Sequence, residues 1–388
     1  MHWHSSSRKL SMVKGSAARL SLGLTATGAL VLGMIGIGAA TADADTVTET
    51  ISLGADPAGV AVTPDGSRVY VAVDINAVSV IDTATNDVTA TIPVGDSHSG
   101  VAVHPFESRA YVTNTSGDSV SIINTATNDV VETVPVGARP YGVAVTPDGS
   151  QVYVANIDDD SVSVIDTATN SAIHIEAVGD GPIDVAVTPD GTRAYVVSSN
   201  DHSVKVIDTA SNTVSATIEV GDDPARVAVA PTANRAYVTN RQDGAVSVID
   251  TVINDEIATI DVGQDPIAIA VTPDGSRLYG TNFDDGSVSV IDTATNTVLE
   301  TLDVGEGPEG VAITPDGSRA YVTNNNDGSV SVIDIDNAQC TASLCIDFGS
   351  LAGDGPLAGG GSTESVGNGS TVRGGSLAGA GSTGSAGS

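Results

Sequence analysis

Four side chains with usable chemistry, Tyr141, Asp184, Arg226 and Glu309, occupy equivalent places in the sequence. Each lies four or five residues after one of seven spaced glycines: Gly54, Gly95, Gly137, Gly179, Gly221, Gly263 and Gly305. Other copies carry small or apolar pairs there, such as Ala58-Gly59, Ser99-Gly100 and Ile267-Ala268. His98 stands where the other copies have proline, and Arg139 is nearby. A phenol, a guanidinium and two carboxylates brought together would hold an ion, a carboxylate or a sugar. The same groups on neighbouring units would also simply pair, Asp184 with Arg226. His98, Arg139, Tyr141, Asp184, Arg226 and Glu309 are therefore the candidate ligand-binding set.

Other constellations are weaker. Gly95-Asp-Ser-His-Ser-Gly100 departs from the G-x-S-x-G pattern that raises a nucleophilic serine on a strand–turn–helix elbow. His98, His104, His174 and His202 fall at different places in their repeats, so no metal cage or Ser-His-Asp array is expected. The runs Asp158-Asp159-Asp160 and Asp284-Asp285, with Asp327, lack the spacing of a calcium loop and read as solvated charge. No C-x-x-C-H motif offers covalent haem attachment. No catalytic residue, metal ligand or cofactor is assigned.

The elements that must position these side chains follow from the repeat. The last residue of each V-x-V-I-D-like segment falls at Asp82, Asn124, Asp166, Asp208, Asp250, Asp292 and Asp334, a step of 42 residues. Tyr70, Tyr111, Tyr153, Tyr195, Tyr237, Tyr279 and Tyr321 keep nearly the same step. A period of about 40 residues with four strands per unit predicts a β-propeller. The third unit shows the four: 141–146, 151–156, 161–166 and 171–178, rich in Val, Ile, Thr and Tyr. Thr-Pro-Asp-Gly joins the first two, with Pro presetting φ and Gly closing the hairpin. The small first strand belongs at the axis, where space is least. The turns leading into it then rim the central channel, which places the candidate set at the channel mouth.

The seventh unit has three strands, ending at Asp334. The segment 46–54 reads as a spare fourth strand. It is expected to complete the last blade, latch the ring and leave seven blades of four strands, an all-β fold.

Tyr-Val-Thr-Asn is intact at Tyr111–Asn114, Tyr237–Asn240 and Tyr321–Asn324, with near-copies at Tyr153–Asn156 and Tyr279–Asn282. With Thr-Pro-Asp-Gly before it and Val-Ser-Val-Ile-Asp after it, the chain resembles the YVTN-repeat β-propeller family over about residues 46–337. The resemblance implies an exported or surface-layer scaffold. It supplies no catalytic residues to carry over.

The segments outside the repeats bear on location. A basic stretch from Arg8 to Arg19, an apolar Gly-rich run over 20–42 and Ala42-Asp43-Ala44 have the layout of a signal peptide over residues 1–44, with cleavage after Ala44. A retained anchor is the alternative, and the only route to a membrane. The propeller is assigned to 45–337 and a Cys-containing segment to 338–348. Cys340 and Cys345 are expected to close a small disulfide loop there. A flexible Gly/Ser-rich tail over 349–388 completes the chain. The 388 residues carry a formal charge of -33, which disfavours nucleic acid as a partner. The expected function is a monomeric, non-enzymatic, exported scaffold that binds a protein, a glycan or a cell-envelope component. The alternatives are a metal-assisted lactonase- or lyase-like enzyme at the channel mouth and a surface-layer building block.

Overall fold

Each Thr-Pro-Asp-Gly segment folds as a hairpin turn because its own side chains bind its backbone. In the first, Asp65 Oδ1 accepts from Thr63 Oγ1 at 2.6 Å and from the Ser67 N–H at 3.0 Å. Gly66 then takes φ 70°, a left-handed value that costs a glycine little. The turns after the V-I-D segments use the same economy. Asp82 Oδ1 accepts from the N–H groups of Ala84 and Thr85, and Asn86 sits at φ 57°, which asparagine tolerates through local hydrogen bonding.

Between these turns, among the described residues, run 28 strands in seven antiparallel sheets of four. The computed structural model describes residues 44–74 and 76–336. Most of the expected signal peptide (residues 1–43), Cys340, Cys345 and the Gly/Ser-rich segment lie outside the described residues. The third blade consists of Pro140–Val145, Gln151–Asn156, Ser161–Asp166 and Ser171–Glu176, here called strands a to d from the axis outward. The outermost strand of the seventh blade is the N-terminal Thr46–Ser52. It pairs with Ser329–Asp334, so the two ends of the described chain close the ring as the sequence predicts.

The seven strands a are Pro57–Val62, His98–Val103, Pro140–Val145, Pro182–Val187, Pro224–Val229, Pro266–Val271 and Pro308–Ile313. Each is bulged just after its first residue, where its register against strand b shifts. Here the blades crowd. A Cβ added to Gly59 would lie 2.1 Å from the Ser99 carbonyl oxygen of the next blade.

The Tyr-Val-Thr-Asn segments in strand b are joints between blades. The repeat tyrosine is fully buried in each copy. In four copies its hydroxyl donates to the c–d-turn asparagine of the following blade: Tyr70–Asn128 (2.9 Å), Tyr153–Asn212 (2.7 Å), Tyr195–Asn254 (2.8 Å) and Tyr321–Asn86 (3.1 Å). The threonine accepts from the bulge of its own blade and donates to a strand a carbonyl of the next: Thr113 Oγ1 takes the Gly100 N–H and gives to Tyr141 O at 2.7 Å. The asparagine amide is buried against strand c serine hydroxyls, two for Asn324 (Ser329 and Ser331) and one for Asn240 (Ser247). Apolar clusters fill the gaps between blades, with Tyr111 packed among Val152, Val154 and Ile165 of the third.

Candidate functional site

Because strand a enters from the rim, its third residue opens onto the axial cavity in every blade, and its second does so in three, at Ala58, Ser99 and Glu309. Five of the seven third positions are Gly or Ala, as the crowding demands: Gly59, Gly100, Gly142, Ala268 and Gly310. Asp184 and Arg226 are the two exceptions. Together with Glu309 they line a central cavity of about 120 Å³, walled otherwise by Gly, Ala, Val and Ile residues and by Ser99.

Tyr141 and Glu309 come from the third and seventh blades, and their side chains meet across the channel mouth. The Tyr141 hydroxyl donates to Glu309 Oε1 at 3.2 Å. Arg226, from the fifth blade, stacks over the Tyr141 ring with its guanidinium carbon 4.6 Å from the centroid, a cation–π contact. All four side chains are half-buried. Asp184 and Arg226 do not form an ion pair within 4.0 Å. Asp184 Oδ2 instead accepts the Val227 N–H of the next blade at 2.9 Å.

Burial pushes the Asp184 and Glu309 carboxyls above the usual range, and the nearby Arg226 charge offsets part of that. For Arg226 itself burial opposes the charge, but Tyr141, Asp184 and Glu309 outweigh it and hold the guanidinium more firmly protonated.

The other two members of the candidate set fare differently. Arg139 is exposed in the turn before strand a, at φ 55°, with Nη1 3.4 Å from Asp158. It does not line the cavity. His98 opens strand a of the second blade with its backbone opposite Asn114. The remaining histidines serve the frame. His104 Nδ1 accepts from the N–H groups of Phe106 and Glu107, and its Nε2 lies 2.9 Å from Gly149 O. His174 meets Ser163 on an outer strand, and His202 accepts the Asp223 N–H. Among the described residues no three His, Cys, Asp or Glu side chains are grouped to hold a metal ion.

A second polar layer escaped the sequence reading. Arg241 grips Asp265 with two bonds, Nε–Oδ1 at 2.7 Å and Nη2–Oδ2 at 3.1 Å. It approaches Asp223 at 3.8 Å, and Asp223 also accepts from Ser199 at 2.8 Å. Asn325 donates to Pro57 O across the seam between the last and first blades. Arg241, Ser199 and Asn325 all stand one residue after strand b. The same comparison of unequal repeats, moved to that position, would have found them.

Residues 192–306, from strand b of the fourth blade to the end of the sixth, match the Cytochrome D1 heme domain family. The solved structure of Kuenenia stuttgartiensis hydrazine synthase is similar at 23% identity, with a TM-score of 0.67, over 72% of this chain and 96% of that one. No curated protein matches the chain. This likeness establishes a shared propeller architecture. The chain is a seven-bladed β-propeller.

The matched family raises haem as a candidate, and the axial cavity tests it. About 120 Å³ is well below the roughly 300–1,000 Å³ of pockets that enclose drug-sized molecules. Its lining residues include no histidine, methionine or cysteine to serve as axial ligand. The cavity does not fit the macrocycle.

Proposed function

We propose that this propeller is an exported, non-enzymatic scaffold that docks a protein, a glycan or a cell-envelope component on the face bearing the channel mouth. The observation that carries this reading is the Tyr141–Glu309 bond with Arg226 stacked upon it. The polar rim groups already satisfy one another, and one oxygen of Asp184 is committed to a backbone N–H. Space beneath them suits a few waters or a small ion better than an organic substrate. Recognition then belongs to the face around the mouth.

That face is acidic. Asp159, Asp201, Asp243, Asp285 and Asp327 recur every 42 residues in the b–c turns. Each accepts one N–H from the turn that enters its own blade, at 2.5–3.1 Å. Carboxylates fixed in this way are pre-organised for a cationic partner and steer its approach at low salt.

The test is co-sedimentation of the protein with envelope fragments of its host, at low and high salt, beside a variant with those five Asp→Asn changes. Asparagine keeps the turn acceptor and removes the charge. Binding that weakens with salt and in the variant is expected. Absence of envelope binding together with turnover of a small substrate by the purified protein would overturn the reading.

A further inference from the structure

The ring closes on one residue that the repeat does not supply. Elsewhere a strand b arginine or tyrosine reaches the c–d turn of the next blade: Arg319 donates to Thr83 O at 2.8 Å and Tyr321 to Asn86 Oδ1 at 3.1 Å. The seventh blade has no such turn, because its strand d comes from the N-terminus. Asp45 stands in its place. Its carboxylate, with no exposed surface, accepts from Arg277 Nη1 at 3.0 Å, from the Tyr279 hydroxyl and from the Asp336 N–H at 2.8 Å. Its own backbone nitrogen lies 3.2 Å from Glu300 Oε1, on strand d of the sixth blade. Ala44, one residue earlier, is exposed.

We propose that the Ala44–Asp45 peptide bond is the processing site and that its cleavage completes the latch. An exported leader-cleaving endoprotease adds water across this bond. Ala44 leaves with the new carboxylate, and Asp45 keeps its nitrogen, now a protonated α-ammonium. That charge arises 3.2 Å from Glu300, so an amide hydrogen bond becomes an ion pair joining the sixth and seventh blades. The leader thus ends where the fold begins, and its removal strengthens the seam it exposes. This inference rests on reading residues 1–44 as an export leader, and its two tests fail separately.

Intact mass and N-terminal sequencing of the protein exported by its host should give Asp45 as the first residue. Another first residue, or a retained leader, overturns the processing site. For the latch, chains beginning at Asp45 and at Asp43 are released from a fusion without added residues and melted side by side. The chain beginning at Asp45 should melt about 1–3 °C higher, the shift expected of one partly screened ion pair in a domain of this size. The gap should vanish when both chains carry Glu300→Gln, which keeps an acceptor but no charge. Equal melting of the two parent chains, or a gap that survives Glu300→Gln, overturns the latch.

Discussion

The Tyr141 hydroxyl and Glu309 Oε1, 168 residues apart in sequence, meet 3.2 Å apart across the channel mouth. The bond ties the third blade to the seventh, which share no strand pairing. Tyr141→Phe removes the donor and keeps the ring under Arg226. A hydrogen bond to a charged acceptor contributes roughly 1.5–3 kcal/mol when shielded, and channel water reduces this, so a loss of about 1 kcal/mol is expected by urea denaturation. The same variant should raise the Glu309 pKa further, since the tyrosine bond is one of the influences holding it down. Carboxyl NMR titration would check that shift. An unchanged Glu309 titration would mean that the crossbar is absent in solution.

Asp184 does at one seam what threonine does at others. Thr113, Thr239 and Thr323 donate from strand b to a carbonyl of the following blade. The equivalent residue of the fourth blade is Val197, which cannot donate, and the Asp184 carboxylate ties that seam through the Val227 N–H instead. Asp184→Ala should therefore cost about 1–3 kcal/mol by leaving a buried N–H without its acceptor. Asp184→Asn keeps an acceptor oxygen and should cost less. Burial raises the folded Asp184 pKa above its ordinary 3.8, so the native state holds this proton more tightly than the unfolded chain does. Ionisation then weakens the wild type as pH rises from that value through the folded one. The asparagine variant escapes this loss. Its stability relative to wild type should increase between about pH 3 and neutrality, and denaturant melts across that range check it.

The architecture was legible because seven copies of one pattern repeat the same local chemistry. Tyr, Thr-Pro-Asp-Gly and V-I-D each name a position in a strand or turn, and the 42-residue step fixes the blade count. Even the closing strand showed, since 46–54 copies a strand that the seventh unit lacks. Tyr141, Asp184, Arg226 and Glu309 were legible as breaks in that pattern. Their partners were not. Periodicity says that Asp184 and Arg226 sit on adjacent blades, but the length and tilt of the side chains decide that Arg226 stacks on Tyr141 while Asp184 bonds to Val227. Arg139 lies off the cavity for a related reason. It precedes strand a by one residue, and at φ 55° its side chain goes to Asp158 and not to the cavity. Asp45 lies outside every repeat, so no comparison of copies could single it out.

The turn carboxylates make a prediction at acid pH. Thr146 and Ser150 hydrogen bonds hold Asp148 below its ordinary 3.8, and Asp65, Asp190 and Asp316 are lowered by the same arrangement in their own turns. For a lowered carboxyl, the stability it contributes is present above the unfolded value and is lost as pH falls through the folded one. Asp148→Asn should therefore be less stable than wild type at neutral pH, and the difference should shrink below about pH 4. Thr146→Val removes the largest of these influences and should move the Asp148 titration back toward 3.8. A difference that stays constant with pH would mean that the turn gains nothing from the charge.

At alkaline pH the buried tyrosines take over. Burial pushes all seven repeat tyrosines above their ordinary 10, and Tyr153 reaches about 12. Each native phenol holds its proton more tightly than the unfolded chain would. The stability this contributes is complete below pH 10 and is lost as pH rises through the folded values. Five of the seven repeat hydroxyls bond between blades, as Tyr153 does to Asn212, so ionising them opens seams and does not merely charge a surface. Alkaline titration should therefore be cooperative. Phenolate absorbance should lag well beyond pH 10 and then rise together with loss of the sheet signal in circular dichroism. Tyr153→Phe should remove one late-titrating phenol and lower the melting temperature by about 2–4 °C, as expected for a lost bond that leaves Asn212 Oδ1 without its donor. Tyrosines that titrate freely near 10 while the sheet signal stays intact would contradict the inter-blade burial on which the whole ring depends.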